Sequence, residues 1–164
     1  MLVICSDIHL GDGTTANSIS PSAFHLFSNR LRETAYFASF RRDGTYRPIE
    51  SLDILLMGDI LDPLHSTLWL DTAPRTLNYT RPWTEISRPN FVSTLAETTN
   101  AIINVNRESL DVLKRCANGE VVVLPPANAR GEPDYNAKER IPIKARIYYA
   151  YGGGKSPSKE GYAA

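Results

Sequence analysis

The sequence predicts an α/β fold, with a mainly parallel sheet and flanking helices. Three observations carry this expectation. Short apolar runs at residues 2 to 6, 52 to 58, 120 to 124 and 145 to 151 are nearly unbroken, the pattern of strands buried on both faces. Longer stretches of helical periodicity separate them, an order that builds parallel sheets through crossover helices. The length, 164 residues, suits a single core with little room for a second folding unit.

The first apolar run, Leu2-Val3-Ile4-Cys5, leads directly into Ser6 and Asp7. The first helix is expected to start at Ser20-Pro21, a capping residue followed by proline in the first turn, and to fade near Asp43-Gly44. Phe24, Phe27, Leu31, Ala35 and Ala38 share one of its faces, while Leu26, Phe37 and Phe40 lie on the other, so coverage on both sides is expected. A second long helix is expected from about residue 90 to an Asn118-Gly119 stop. Its stripe would be Phe91, Leu95, Ile102, Val105, Leu113 and Cys116. Residues 62 to 89 and 125 to 142 are irregular and proline-containing, and loops of that length are usually functional or poorly ordered. The organisation expected is a domain over residues 1–151 and a flexible tail over 152–164, rich in Gly, Ser and Lys.

Composition narrows the function classes. Eighteen basic residues balance eighteen acidic ones, so no global field draws the chain to nucleic acid or to an anionic membrane. No apolar run approaches the roughly 20 residues that span a bilayer. Cys5 and Cys116 fall in an apolar strand and on an apolar helix face, the pattern of buried reduced thiols, and a cytoplasmic location is expected. Gly154-Lys155-Ser156 imitates the end of a phosphate-binding loop, but Tyr149 stands where its first glycine would be.

The chemistry lies at the ends of the first two strands. Asp7 and His9 follow the first strand two residues apart, and on an extended chain they would project to the same side and grip one ion. Asp59 follows the second strand after Gly58. Ligands of parallel sheets collect at the carboxyl ends of the strands, so the three side chains converge if the two strands are neighbours. Either motif in isolation is common by chance, and an Asp after a strand is often only a cap or turn former.

Ser6-Asp7-Ile8-His9-Leu10-Gly11 resembles the D-x-H motif of the calcineurin-like metallophosphoesterases, and Met57-Gly58-Asp59-Ile60-Leu61-Asp62 resembles their G-D-x-x-D motif. The resemblance implies a two-sheet sandwich flanked by helices, of which this chain is the N-terminal part. It implies two divalent ions, manganese or else iron or zinc, with Asp7 and His9 on the first and Asp59 bridging both. It also implies phosphate mono- or diester hydrolysis by a metal-activated water. Asp62 is expected behind the ligands or on the substrate side, with His65 as a further neighbour of the metal region. Arg75, Arg81 and Arg88 line the long loop, and the first two are candidate phosphate contacts.

The third family motif is missing. The strand Arg146 to Tyr151 runs into Gly152-Gly153-Gly154-Lys155 rather than G-N-H-D or G-N-H-E, and the histidines are His9, His25 and His65 alone. His25 is expected to be structural. At most one ion would be well bound, and activity of the chain alone would be weak or nil, as for a truncated or frameshifted family member. A half-sandwich would leave sheet surface uncovered and open to self-association.

Overall fold

The structure, a computed structural model, describes residues 1–15, 18–71 and 79–150. The tail at 152–164, the last residue of the fourth apolar run, and Arg75 lie outside the described residues. The elements are β1 (Leu2–Ser6), α1 (Pro21–Phe37), β2 (Leu52–Met57), a 3-10 turn (Thr67–Leu70), α2 (Phe91–Val105), α3 (Arg107–Asn118), β3 (Val123–Leu124), β4 (Ile141–Pro142) and β5 (Ala145–Ala150). The expected α/β class with a parallel sheet and flanking helices is observed. The sheet has three strands in the order β1-β2-β5, all parallel, with Leu2 opposite Asp53 and Asp53 opposite Arg146.

The expected strand at 120–124 does not join that sheet. Only Val123 and Leu124 are extended, and they pair antiparallel with Ile141 and Pro142. Val121 and Val122 are nevertheless buried in the core, so the apolar run reports burial rather than strand pairing.

The strands are not all covered on both faces. Val3, Cys5, Leu52, Ile54, Leu56 and Ile147 face the core built by Phe24, Leu31, Val112, Leu113 and Cys116 from the helices. The alternate residues look the other way, where Leu2 is 61% exposed, Ile4 57% and Tyr148 48%. On that open face Arg146 forms a two-point ion pair with Asp53, at 2.7 and 3.0 Å.

The N-terminus of α1 is as expected: Ser20 Oγ accepts from the Ser22 amide and proline opens the helix. The helix stops at Phe37, short of Asp43-Gly44, because the chain turns back earlier. Ser39 Oγ donates to Ala35 O and accepts from the Ile49 amide, and Phe40 bridges to Tyr46. Tyr36, Phe40 and Tyr46 then pack with ring centroids 5.1 to 5.7 Å apart. Coverage of α1 on both sides is not observed, since Leu26 and Phe37 stand exposed.

The second helical pattern is two helices broken at Asn106. The expected Gly119 stop is present, with a left-handed φ of 79°. Val105, placed on the apolar stripe by periodicity, is exposed, while the buried row of α2 runs through Thr98 and Ile102 and on to Asn106. The 125–142 loop is ordered by its own side chains. Asn128 Oδ1 accepts from the Arg130 and Glu132 amides, and Asp134 Oδ1 accepts from those of Asn136 and Ala137. No helix among the described residues is long and apolar enough to cross a membrane.

Candidate functional site

β1 and β2 end side by side, and the segments beyond them stay paired. The Asp7 amide donates to Met57 O (3.1 Å), His9 N to Asp59 O (2.9 Å), Leu10 N to Ile60 O (2.8 Å) and Asp62 N to Leu10 O (2.9 Å). The two motif segments therefore run alongside each other residue for residue at the carboxyl end of the sheet. This adjacency was the condition for convergence.

The local conformation is not the extended one expected from alternation. Asp7 has φ 52° and His9 has φ 51°, both left-handed, a region that costs an ordinary L-residue about 1–2 kcal/mol. Gly58 is also left-handed, at φ 72°. A Cβ there would overlap Asp7 Oδ1 and stand 3.2 Å from its Cγ, so the carboxylate of Asp7 rests on the bare Cα of Gly58. Strain of this kind in native folds collects at sites where geometry serves function.

Asp62 lies between two imidazoles. Its Oδ2 is 2.8 Å from His65 Nδ1 and 3.5 Å from His9 Nδ1. Burial alone would raise its carboxyl pKa, but the hydrogen bond and charge of His65, with help from His9, outweigh it and hold the group below the usual carboxylate range. An ionised carboxylate only accepts, so the proton of the Asp62–His65 hydrogen bond is donated from His65 Nδ1. His9 approaches the same carboxylate less closely, at 3.5 Å and without a hydrogen bond of that quality.

Asp7, His9 and Asp59 are exposed. Among the described residues no three His, Cys, Asp or Glu side chains surround a common point. Two carboxylates and an imidazole suit a divalent transition ion, and gathering them around one ion requires rotation of these exposed side chains. Beside Asp59 and Asp62 a cavity of about 260 Å³ opens toward Leu64, Thr99 and Tyr149.

Arg81 has a different use from the expected phosphate contact. It is 8% exposed, its Nη1 donates to the carbonyls of Trp69 and Thr80, and its guanidinium lies 4.6 Å over the Tyr79 ring. It thereby fixes the loop around Trp69, whose own Nε1 donates to Pro63 O and whose ring packs on Phe91. His25 pairs with Glu108 on the surface, 3.1 Å away and remote in sequence from the motifs.

Two buried polar groups supporting the site were not singled out from sequence. Asp12 accepts from the Thr14 amide, Thr14 Oγ1 and Ser66 Oγ. It ties the segment after β1 to the segment after β2, reinforced by Thr67 N to Thr14 Oγ1 and Thr15 Oγ1 to His65 O. Burial would raise the Asp12 pKa, yet the donors from Ser66 and Thr14 bring it below its ordinary value. Asn106, 3% exposed at the helix break, donates to Gly11 O and Ile102 O and accepts from Ser18 Oγ. A poor helix former inside a long helical pattern was the available signal for Asn106.

Comparison of the chain with protein-family models, with curated proteins and with solved structures returned no match.

Proposed function

We propose that this chain carries part of a metal-dependent phosphoesterase site of the calcineurin-like type, and that its sheet corresponds to one layer of that family's sandwich. Asp7 and His9 would hold one divalent ion, manganese or else iron or zinc. Asp59 would bridge toward a second, and Asp62 would orient His9. When bound, such an ion lowers the pKa of its water toward about 7 and neutralises the oxygens of a phosphate ester. The chain's own residues position these groups: the left-handed turns at Asp7 and His9 aim the side chains, and Asp12 and Asn106 fix the loop that carries them. The hydrogen-bonded pairing of the two motif segments, from Asp7–Met57 to Leu10–Asp62, is the observation that carries this reading.

The 164 residues contain no G-N-H-D/E or G-H-x-H motif, so the second ion would keep mostly water ligands and bind weakly. Turnover by the isolated chain is accordingly expected to be slow. The test is hydrolysis of p-nitrophenyl phosphate and its bis ester with added Mn²⁺. Manganese-dependent turnover lost in Asp59→Asn supports the proposal, while a rate unchanged in Asp59→Asn rules it out.

The open sheet face favours a second reading, that of a metal-binding or interaction domain without turnover that associates through Leu2, Ile4 and Tyr148. Manganese binding without hydrolysis, together with concentration-dependent dimers that Ile4→Lys removes, would select it.

A further inference from the structure

The cavity beside Asp59 has a chemistry of its own. At about 260 Å³ it lies just under the roughly 300–1,000 Å³ usual for small-molecule sites, so it has room for one ring-sized group and not for a nucleotide chain. Leu61, Leu64 and the Tyr149 ring form apolar walls, and Asp59, Asp62 and Thr99 supply the polar ones. The hydroxyl protons on these walls are already committed. Tyr149 Oη donates to Gly58 O at 3.2 Å, and Thr99 Oγ1 donates to Leu95 O at 2.8 Å. The carboxylates only accept. These side chains therefore offer a guest apolar contact and hydrogen-bond acceptors but no donor. Leu64 and Tyr149 are each more than half exposed, so the mouth is reachable from solvent.

From this inventory we infer that the cavity receives the organic part of the substrate, and that this part is a ring-sized apolar group, neutral or amine-bearing, with no anionic substituent. A second phosphate or a carboxylate placed here would lose its hydration facing two carboxylates and find no donor in return. The assignment of the guest as the alcohol portion of a phosphate ester rests on the phosphoesterase reading. The discrimination against anions rests on the cavity alone.

The experiment uses the full chain without added metal, and saturation-transfer NMR with benzyl alcohol, benzylamine and benzoate as probes. Benzyl alcohol and benzylamine are expected to receive saturation, with benzoate weaker by about tenfold or more because its charge must be desolvated against carboxylates. Leu64→Trp, at an exposed position that can change without disturbing the core, should abolish the signal. Benzoate bound as well as benzyl alcohol, transfer that survives Leu64→Trp, or no transfer from the folded chain to any probe would each overturn the inference. Hydrolysis with Mn²⁺ separates the two claims. Turnover of benzyl phosphate, with benzoate binding the metal-free chain as well as benzyl alcohol does, would sink the cavity inference and leave the phosphoesterase reading in place. Probe binding as expected, with no hydrolysis of any ester, would do the reverse.

Discussion

Gly58→Ala tests the join between the two motif segments. Gly58 has φ 72°, and the added methyl would overlap the Asp7 carboxylate. The left-handed backbone costs an alanine about 1–2 kcal/mol. Driving the Asp7 side chain off its rotamer adds about 1 kcal/mol. Together these predict a loss of roughly 2–3 kcal/mol, or roughly 5–10 °C in Tm for a chain of this size. Urea and thermal melts followed by circular dichroism measure it, and a double-mutant cycle divides it. In an Asp7→Ala background the clash is gone, so Gly58→Ala should cost only the backbone part, leaving a coupling of about 1 kcal/mol. A loss under about 0.5 kcal/mol would refute the left-handed turn. A full loss that persists undiminished in the Asp7→Ala background would refute the contact between Asp7 and Gly58.

Three other perturbations have defined outcomes. His9→Gly relieves a left-handed residue and should leave stability within about 1 kcal/mol of the parent or raise it, while calorimetric Mn²⁺ binding is lost; a larger destabilisation would mean that His9 is held for packing. Asn106→Ala strips partners from Gly11 O and Ser18 and should cost about 2–4 kcal/mol in urea unfolding, whereas a neutral result would mean that water replaces the amide without penalty. Asp12 has a folded pKa below its unfolded one, so its stabilising contribution is complete above the unfolded value and fades as pH falls through the folded one. The stability gap between the parent and Asp12→Asn should therefore be widest near neutrality and close in acid, and a gap constant from pH 7 down to pH 2 would contradict the assigned hydrogen bonds.

The positions of the motifs were legible because Asp7, His9 and Asp59 each follow an apolar run, and parallel strands expose such residues at one end. How Asp7 and His9 are oriented was not. Alternation along an extended chain was a reasonable expectation, but the strand ends at Ser6 and left-handed turns replace it, set by pairing with a segment 50 residues away. Helical periodicity passed through Asn106 because its apolar positions stay in phase, while the break depends on tertiary bonds to Gly11 and Ser18 that no local pattern encodes. The role of Arg81 was hidden for the same reason: a guanidinium suits a phosphate and a cluster of carbonyls equally well, and only the fold of the Trp69 loop decides. Residues 120–124 were overread as a strand of the main sheet, since a short apolar run measures the tendency to be buried before it measures any pairing.

The threading of the sheet has a consequence for how the chain is made. β2 is the middle strand, yet its two neighbours come from opposite ends of the sequence, with Asp53 opposite both Leu2 and Arg146. On a ribosome β1 and β2 emerge and can join early, while one flank of β2 stays without its partner until residue 150 has been synthesised. At the usual pace of about 5–20 residues per second, that leaves an apolar edge open for several seconds. Such an interval invites strand capture by neighbouring nascent chains, so the yield of folded protein should depend on holdase chaperones.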